Sequence, residues 1–302
     1  MSHIQNATAL RVLLTGAGGQ VGQALQREIP AGVELYAADH HMLDITQPQQ
    51  VQSVFALFQP DLLINAAAYT QVDLAQTEPA KAFAVNRDAV AHLAQVAQAA
   101  HVPVFHLSTD YVFDGSAKAP YTEADATNPL NVYGSSKLAG EQCLLAMHSR
   151  ALVLRTSSVF STTHPNFVTR IVQQAQTKSE LHVTDGQISC PTPASALAET
   201  LWALVQLYRQ NGDLPWGVLH YAGAPACSRY AWACKIIAAA QQHGILPHAV
   251  QVLPTQADST NGALPGHAIR PAYSALDCGR IQTLLGIEPP SWAQALHSMW
   301  QR

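Results

Sequence analysis

An α/β fold built on a doubly wound parallel sheet, with a smaller C-terminal lobe, is what this sequence predicts. Three observations carry that expectation. Short apolar runs alternate with amphipathic or Ala-rich stretches over the first 160 residues, the rhythm of strand, helix, strand that builds a parallel sheet. The first run ends directly in a glycine cluster, TGAGGQVG (Thr15–Gly22). The second ends in an acidic residue, Asp39.

In chain order, ALRVLLT (9–15) reads as a buried parallel strand entering a tight turn. A helix is expected over 20–28, a strand over 33–41, and a helix over 47–60 closed by Pro60. A third strand follows at 61–69, a long Ala-rich helix at 78–100, and a fourth strand at 102–110. Residues 131–148 read as helix and ALVLRTSSVF (151–160) as another strand. Beyond Phe160 the rhythm changes: a loop, a helix at 167–177, and a short strand and turn over 181–193. An amphipathic helix at 195–210 is stopped by Asn211-Gly212, a buried strand covers 216–223, and a helix over 228–244 ends at Gly244. Leu253 to Arg270 reads as loop and 291–302 as a terminal helix. The expected organisation is a nucleotide-binding unit over 1–160, to which 195–222 returns, and a second lobe over 161–302.

Composition narrows the function classes. Charged residues make up only 12% of the 302 and the formal charge is -4, so there is no electrostatic case for nucleic acid or an anionic membrane surface. No apolar run approaches the roughly 20 residues a membrane span needs. The opening MSHIQNATAL lacks a cationic stretch followed by an apolar one, so no secretory signal is expected. Five scattered cysteines without a CxxC read as reduced thiols of a cytoplasmic protein. None of the histidines falls in a ligand spacing such as HExxH, and no metal is expected.

The glycine turn points to a dinucleotide. Gly16, Gly19 and Gly22 let the backbone turn sharply and approach a pyrophosphate, which the N-terminus of the following helix attracts. Asp39 would accept hydrogen bonds from the adenosine ribose, which favours NADH, although both NADH and NADPH remain candidates. The fourth strand ends in Ser108-Thr109-Asp110-Tyr111, where an open parallel sheet binds its ligands. Tyr133 and Lys137 lie one helical turn apart on the next helix. Hydride delivery to a ketone builds charge on oxygen, so a proton donor must stand close. A phenol with a pKa of about 10 is a reluctant one, and lowering it by two or three units takes roughly 3–4 kcal/mol. The expectation is that the Lys137 ammonium supplies that energy and that Thr109 holds the substrate oxygen.

TGxxGxxG, NAAAY (65–69), STDYVFDG (108–115), PYTE and NVYGSSKLAGE (131–141), followed by LRTSSVF, NFV, CPT and RPAYSALD (270–277), occur here in that order. With them the chain resembles the extended short-chain dehydrogenase/reductases, Rossmann-fold enzymes, and within them the dTDP-4-dehydrorhamnose reductase family. The resemblance spans nearly the whole chain. It implies reduction of the C4 ketone of a dTDP-linked 4-keto-6-deoxy sugar by NADPH or NADH, with Thr109, Tyr133 and Lys137 catalytic. Implied cofactor contacts are Gly16, Gly19, Gln20, Val21, Gly22, Asp39, Asp44, Ile45, Ala66, Ala67, Ala68, Tyr133 and Lys137. Implied substrate contacts are Tyr69, Asp110, Tyr111, Ser158 and Arg270. A monomer or homodimer is expected. The family usually reads RTSWVY, DQxGxPT and RPxNS where this chain has RTSSVF, GQISCPT and RPAYS, so its substrate side departs from the pattern. Tyr273 is a candidate to refill the space of the missing tryptophan, against plain packing for Tyr273 and Phe160. Two alternatives stand beside the reductase: a reductase of a related 4-keto-6-deoxy nucleotide sugar, and a regulatory subunit resembling the β subunit of methionine adenosyltransferase.

Overall fold

The computed structural model describes residues 9–255 and 266–301. Residues 1–8, on which the expectation about a secretory signal partly rests, and 256–265, in the expected loop, lie outside the described residues.

Five parallel strands come first: β1 (Leu10–Thr15), β2 (Val33–Ala38), β3 (Leu62–Asn65), β4 (Val104–Thr109) and β5 (Ala151–Thr156). Between them run α1 (Gln20–Arg27), α2 (Pro48–Phe58), α3 (Val72–Thr77), α4 (Pro79–Phe83), α5 (Ala89–Ala99) and α6 (Val132–Met147). The second half adds short strands β6 (Val159–Phe160), β7 (Glu180–Thr184), β8 (Ile188–Ser189) and β9 (Thr192–Pro193), with helices α7 (Phe167–Ala175) and α8 (Ala194–Asn211). It closes with β10 (Gly217–His220), β11 (Cys227–Ser228), α9 (Arg229–Gln242), β12 (Gln251–Thr255), α10 (Gly279–Leu285) and α11 (Trp292–Met299). The main sheet is six-stranded, in the order β10-β5-β4-β3-β1-β2, and every pairing in it is parallel.

Strand alternation sorts the side chains into two cores. Val12, Leu14, Leu62, Ile64, Leu152 and Leu154 face one side and pack with α1 and α8. Leu13, Leu63, Val104 and Val153 face the other and pack with α2 and α5. Each such fully buried side chain stabilises the fold by about 1.5–3 kcal/mol. α8 is locked to α1 by the Trp202 indole, which donates to the Leu25 carbonyl at 3.1 Å. The second lobe has its own core, in which Phe160 and Phe167 pack on Trp232 of α9. Phe160 is thus a packing residue.

The structure differs from the sequence expectation in four places. The helix expected over 78–100 is broken: α3 precedes it, Pro79 starts α4, and a π-helical turn occupies Ala84–Asp88. The Asn86 amide explains the distortion, since it grips both the N–H and the carbonyl of Tyr69 and donates to the Ser136 hydroxyl. The strand expected over 151–160 splits at Ser158, which has φ +45°. The loop expected from Leu253 begins as strand, because Gln251–Thr255 pairs in parallel with β7. α10 has too few residues to show a helical period and was not legible.

Candidate active site

The carboxyl ends of β1, β3 and β4 converge on a buried polar cluster. Gly16 has φ +72°, and a Cβ there would lie 2.5 Å from the Ala67 nitrogen. Gly22 faces the Ala17 backbone as closely, so α1 can start directly under the turn only with glycine at both positions. Gly18 and Gly19 are exposed, and the first turn of α1 carries neither an acidic side chain nor a capping one. A bare, uncapped helix start beside two side-chain-free residues fits the diphosphate of a dinucleotide. Gly16→Ala is expected to destabilise the fold by more than the roughly 1–2 kcal/mol of left-handed backbone strain alone, measurable as a lower denaturation midpoint.

The remaining expected cofactor residues divide. Gln20 reaches across to the second lobe, with its Oε1 accepting from Ser161 and Asn166. The Val21 and Ile45 side chains are buried in the two cores. Asp39 directly follows β2, half-buried, its Oδ1 accepting from the His41 and Met42 N–H groups. Asp44 accepts from both the backbone and hydroxyl of Thr46. Ala66, Ala67 and Ala68 form a half-buried strip beside the glycine turn.

Thr109, Tyr133 and Lys137 come together at the carboxyl end of β4. Asn131 caps α6 by accepting from the Gly134 N–H at 2.8 Å, which sets Tyr133 in the first turn. Gly134 allows that turn to lie against the Tyr111 carbonyl, where a Cβ would collide. Tyr133 stands edge-on to Tyr111, ring centroids 5.8 Å apart. Burial pushes the Tyr133 phenol well above its ordinary value of 10; the Thr109 hydroxyl draws it back, and Asp110 and Tyr111 add to the rise. Lys137 is 2% exposed, and its Nζ donates to the Leu107 carbonyl at 2.6 Å and lies 3.2 Å from His106 Nε2. Burial draws its pKa from 10.5 down to about 8, with Glu141 opposing. Nζ is thus held by β4, and burial is the largest influence on the phenol, in the upward direction.

The expected substrate residues are more dispersed. Asp110, 2% exposed, takes hydrogen bonds from Ser157 at 2.7 Å and Ser274 at 2.6 Å on Oδ2, and from Thr109 at 3.1 Å on Oδ1. Its carboxylate is directed at protein hydroxyls and joins the end of β4 to the segments that carry Ser157 and Ser274. Arg270 pairs with Asp73 at 2.7 Å and neighbours Tyr111. Tyr69 donates to Glu78 at 3.0 Å. The Ser158 and Ser189 hydroxyls meet at 2.8 Å, and Tyr273, bridged to Ile188, packs partly buried beside them. Sequence reasoning missed Ser157, Ser274, Asp73 and His106. Only His106 had a visible signal, a histidine inside an otherwise apolar central strand.

The RmlD substrate binding domain family matches residues 10–302. A dTDP-4-dehydrorhamnose reductase of Aggregatibacter actinomycetemcomitans is 37% identical to this chain over 291 residues, 96% of this chain and 98% of the relative. Another, from Sinorhizobium fredii, is 36% identical over 288 residues, 95% of each chain. The crystal structure of dTDP-4-dehydrorhamnose reductase from Bacillus anthracis in complex with NADP is similar at a TM-score of 0.85 and 30% identity, covering 96% of this chain and 98% of that one. The chain therefore belongs to the RmlD family of dTDP-4-dehydrorhamnose reductases.

Proposed function

We propose that this protein reduces the C4 ketone of dTDP-4-dehydro-6-deoxy-L-mannose, using NADPH or NADH, with Tyr133 as the proton donor. The observation that supports it most is the meeting of the half-buried Tyr133 and the Thr109 hydroxyl at the carboxyl end of the central strand, beside a glycine turn shaped for a dinucleotide. When bound, the nicotinamide would supply the hydride. The N–H groups at the start of α1 would hold the diphosphate, and Asp39 the adenosine ribose. Thr109 would orient the ketone oxygen, and Tyr133 would give it a proton as charge develops there. Lys137 would hold the nicotinamide ribose, as the family resemblance implies. Residues 161–302 would supply most of the sugar-nucleotide site, with Tyr111, Arg270 and the Ser158–Ser189 pair at its border.

The test is cofactor oxidation, followed with NADH and NADPH separately, across a panel of nucleotide-linked 4-keto-6-deoxy sugars. Fastest turnover with the dTDP-linked L-mannose derivative is expected. Preference for another 4-keto sugar would reassign the substrate, and no oxidation with any would overturn the reductase reading. Asp39→Ala is expected to weaken NADH more than NADPH, read as a several-fold drop in the ratio of their kcat/KM values.

A further inference from the structure

Asp73, on α3, spends its carboxylate on one distant segment. Oδ2 accepts from Arg270 Nη2 at 2.7 Å, and Oδ1 accepts from the Ala268 N–H at 3.0 Å. The two oxygens thus hold both ends of the stretch 268–270. Burial works against the Asp73 charge, but the bonds from Arg270 and Ala268 outweigh it and keep the carboxyl below its ordinary range.

Arg270 is held a second time, because its Nη1 donates to the Ala268 carbonyl at 3.2 Å. The guanidinium fork has donors beyond these two bonds. It lies beside the Tyr111 phenol, whose ring stands edge-on to Tyr133, so Arg270 is one aromatic ring away from the proposed proton donor. Its side chain is 23% exposed, against 42% for Asp73. Nearby bonds tie the same pieces together. Asn131, the cap of α6, donates through Nδ2 to the Ile269 carbonyl at 2.7 Å, and Gln76 of α3 accepts from the Val132 N–H at 2.7 Å. Segment 268–270, α3 and the start of α6 form a triangle, and Asp73 closes one side of it.

A half-exposed ion pair adds little to stability. What it can add is order. An arginine free to move has to be fixed when a ligand binds, and that cost is subtracted from affinity. Resting on the reductase reading for the ligand, we propose that Asp73 is a positioning residue for the nucleotide sugar. It seats 268–270 on α3 and holds the Arg270 guanidinium, beside Tyr111, in the orientation the substrate meets. A plain surface tie between α3 and the C-terminal segment would leave ligand affinity untouched.

The test uses the full-length chain and the reduced product, dTDP-6-deoxy-L-mannose, titrated by calorimetry. Asp73→Ala is expected to weaken binding about 3–10-fold, the range for ordering one long side chain at binding rather than before it. Its denaturation midpoint is expected to stay close to the parent's. Arg270→Ala should weaken binding at least as much, and the double variant no further than Arg270→Ala alone, because Asp73 acts through Arg270. In turnover, KM should carry the loss while kcat stays within a few-fold. Without any ligand, 15N relaxation of the Arg270 Nε–H should show a rigid side chain in the parent and a mobile one in Asp73→Ala. If that variant fails to fold, Asp73→Asn replaces it, since its amide can still accept from Ala268 but offers Arg270 no charge. Undiminished affinity without the Asp73 carboxylate, losses that add in full in the double variant, or an Arg270 that stays rigid would each overturn the proposal while leaving the reductase reading intact. A parent that binds no dTDP-6-deoxy-L-mannose would overturn both.

Discussion

Tyr133→Phe is expected to lower kcat by about 10²–10⁴-fold, the range that a positioned general acid contributes, while cofactor affinity stays within a few-fold of the parent. The substitution removes one oxygen. The ring keeps its edge-on contact with Tyr111, 5.8 Å between centroids, and the Asn131 cap that places it is made by backbone and a different side chain. A structural loss is therefore not anticipated, and the change should fall on the chemical step. Cofactor binding measured by nucleotide fluorescence, alongside single-turnover oxidation, separates the two. Undiminished turnover by the Phe variant would remove Tyr133 from the mechanism. The pH dependence has a definite sign. Burial lifts the phenol above its ordinary value of 10, so the acid form persists through the neutral range, and ionisation of Tyr133 should not limit the rate below about pH 10.

Glu141→Ala should be the most destabilising of the substitutions considered, by roughly 3–5 kcal/mol, because it leaves a buried guanidinium without its counter-charge. Arg155 is 5% and Glu141 2% exposed at the side chain. The guanidinium makes three contacts with the carboxylate, through Nε to both oxygens and through Nη2 at 2.7 Å. Its other neighbours cannot substitute for that charge: the Phe113 ring lies 5.3 Å away, and the buried His220 is pushed down to about 4, so it is neutral. Denaturant unfolding of the variant checks the size of the loss. Replacing both residues by apolar side chains of similar volume should recover most of it, since the desolvation of both charges is then avoided. A single variant as stable as the parent would mean that Arg155 finds water or another acceptor.

Local signals predicted the sheet because they were strong and short in range. The strands β1, β2 and β4 are apolar runs closed by a glycine or an acidic residue, and the glycine turn sits where β1 must pass into α1. Thr109, Tyr133 and Lys137 were legible for a related reason: one strand end and one helical turn suffice to bring them together. What escaped was set by distant partners. The π-helical turn at Ala84–Asp88 depends on Asn86 reaching Tyr69 and Ser136, residues that no periodicity connects to it. The break at Ser158 depends on Ser189, 31 residues further on. Asp110 was legible as a strand-end acid beside Thr109, but not its two serine partners, one of them 164 residues away. The lysine ammonium expected to acidify the phenol was a reasonable inference from spacing on one helix. That the neighbouring strand offers this nitrogen a carbonyl and an imidazole was not legible from that spacing.

Asp110 joins the end of β4 to Ser157 after β5 and to Ser274 near the C-terminus, and Leu276 and Ile281 share one core with Val12 and Leu152. Pulling the C-terminal segment away would strip the Ser274 hydroxyl from one desolvated acid and open the main core at once. The chain should accordingly melt as a single cooperative unit, with calorimetric and van't Hoff enthalpies in agreement, and Asp110→Ala should split that transition into two.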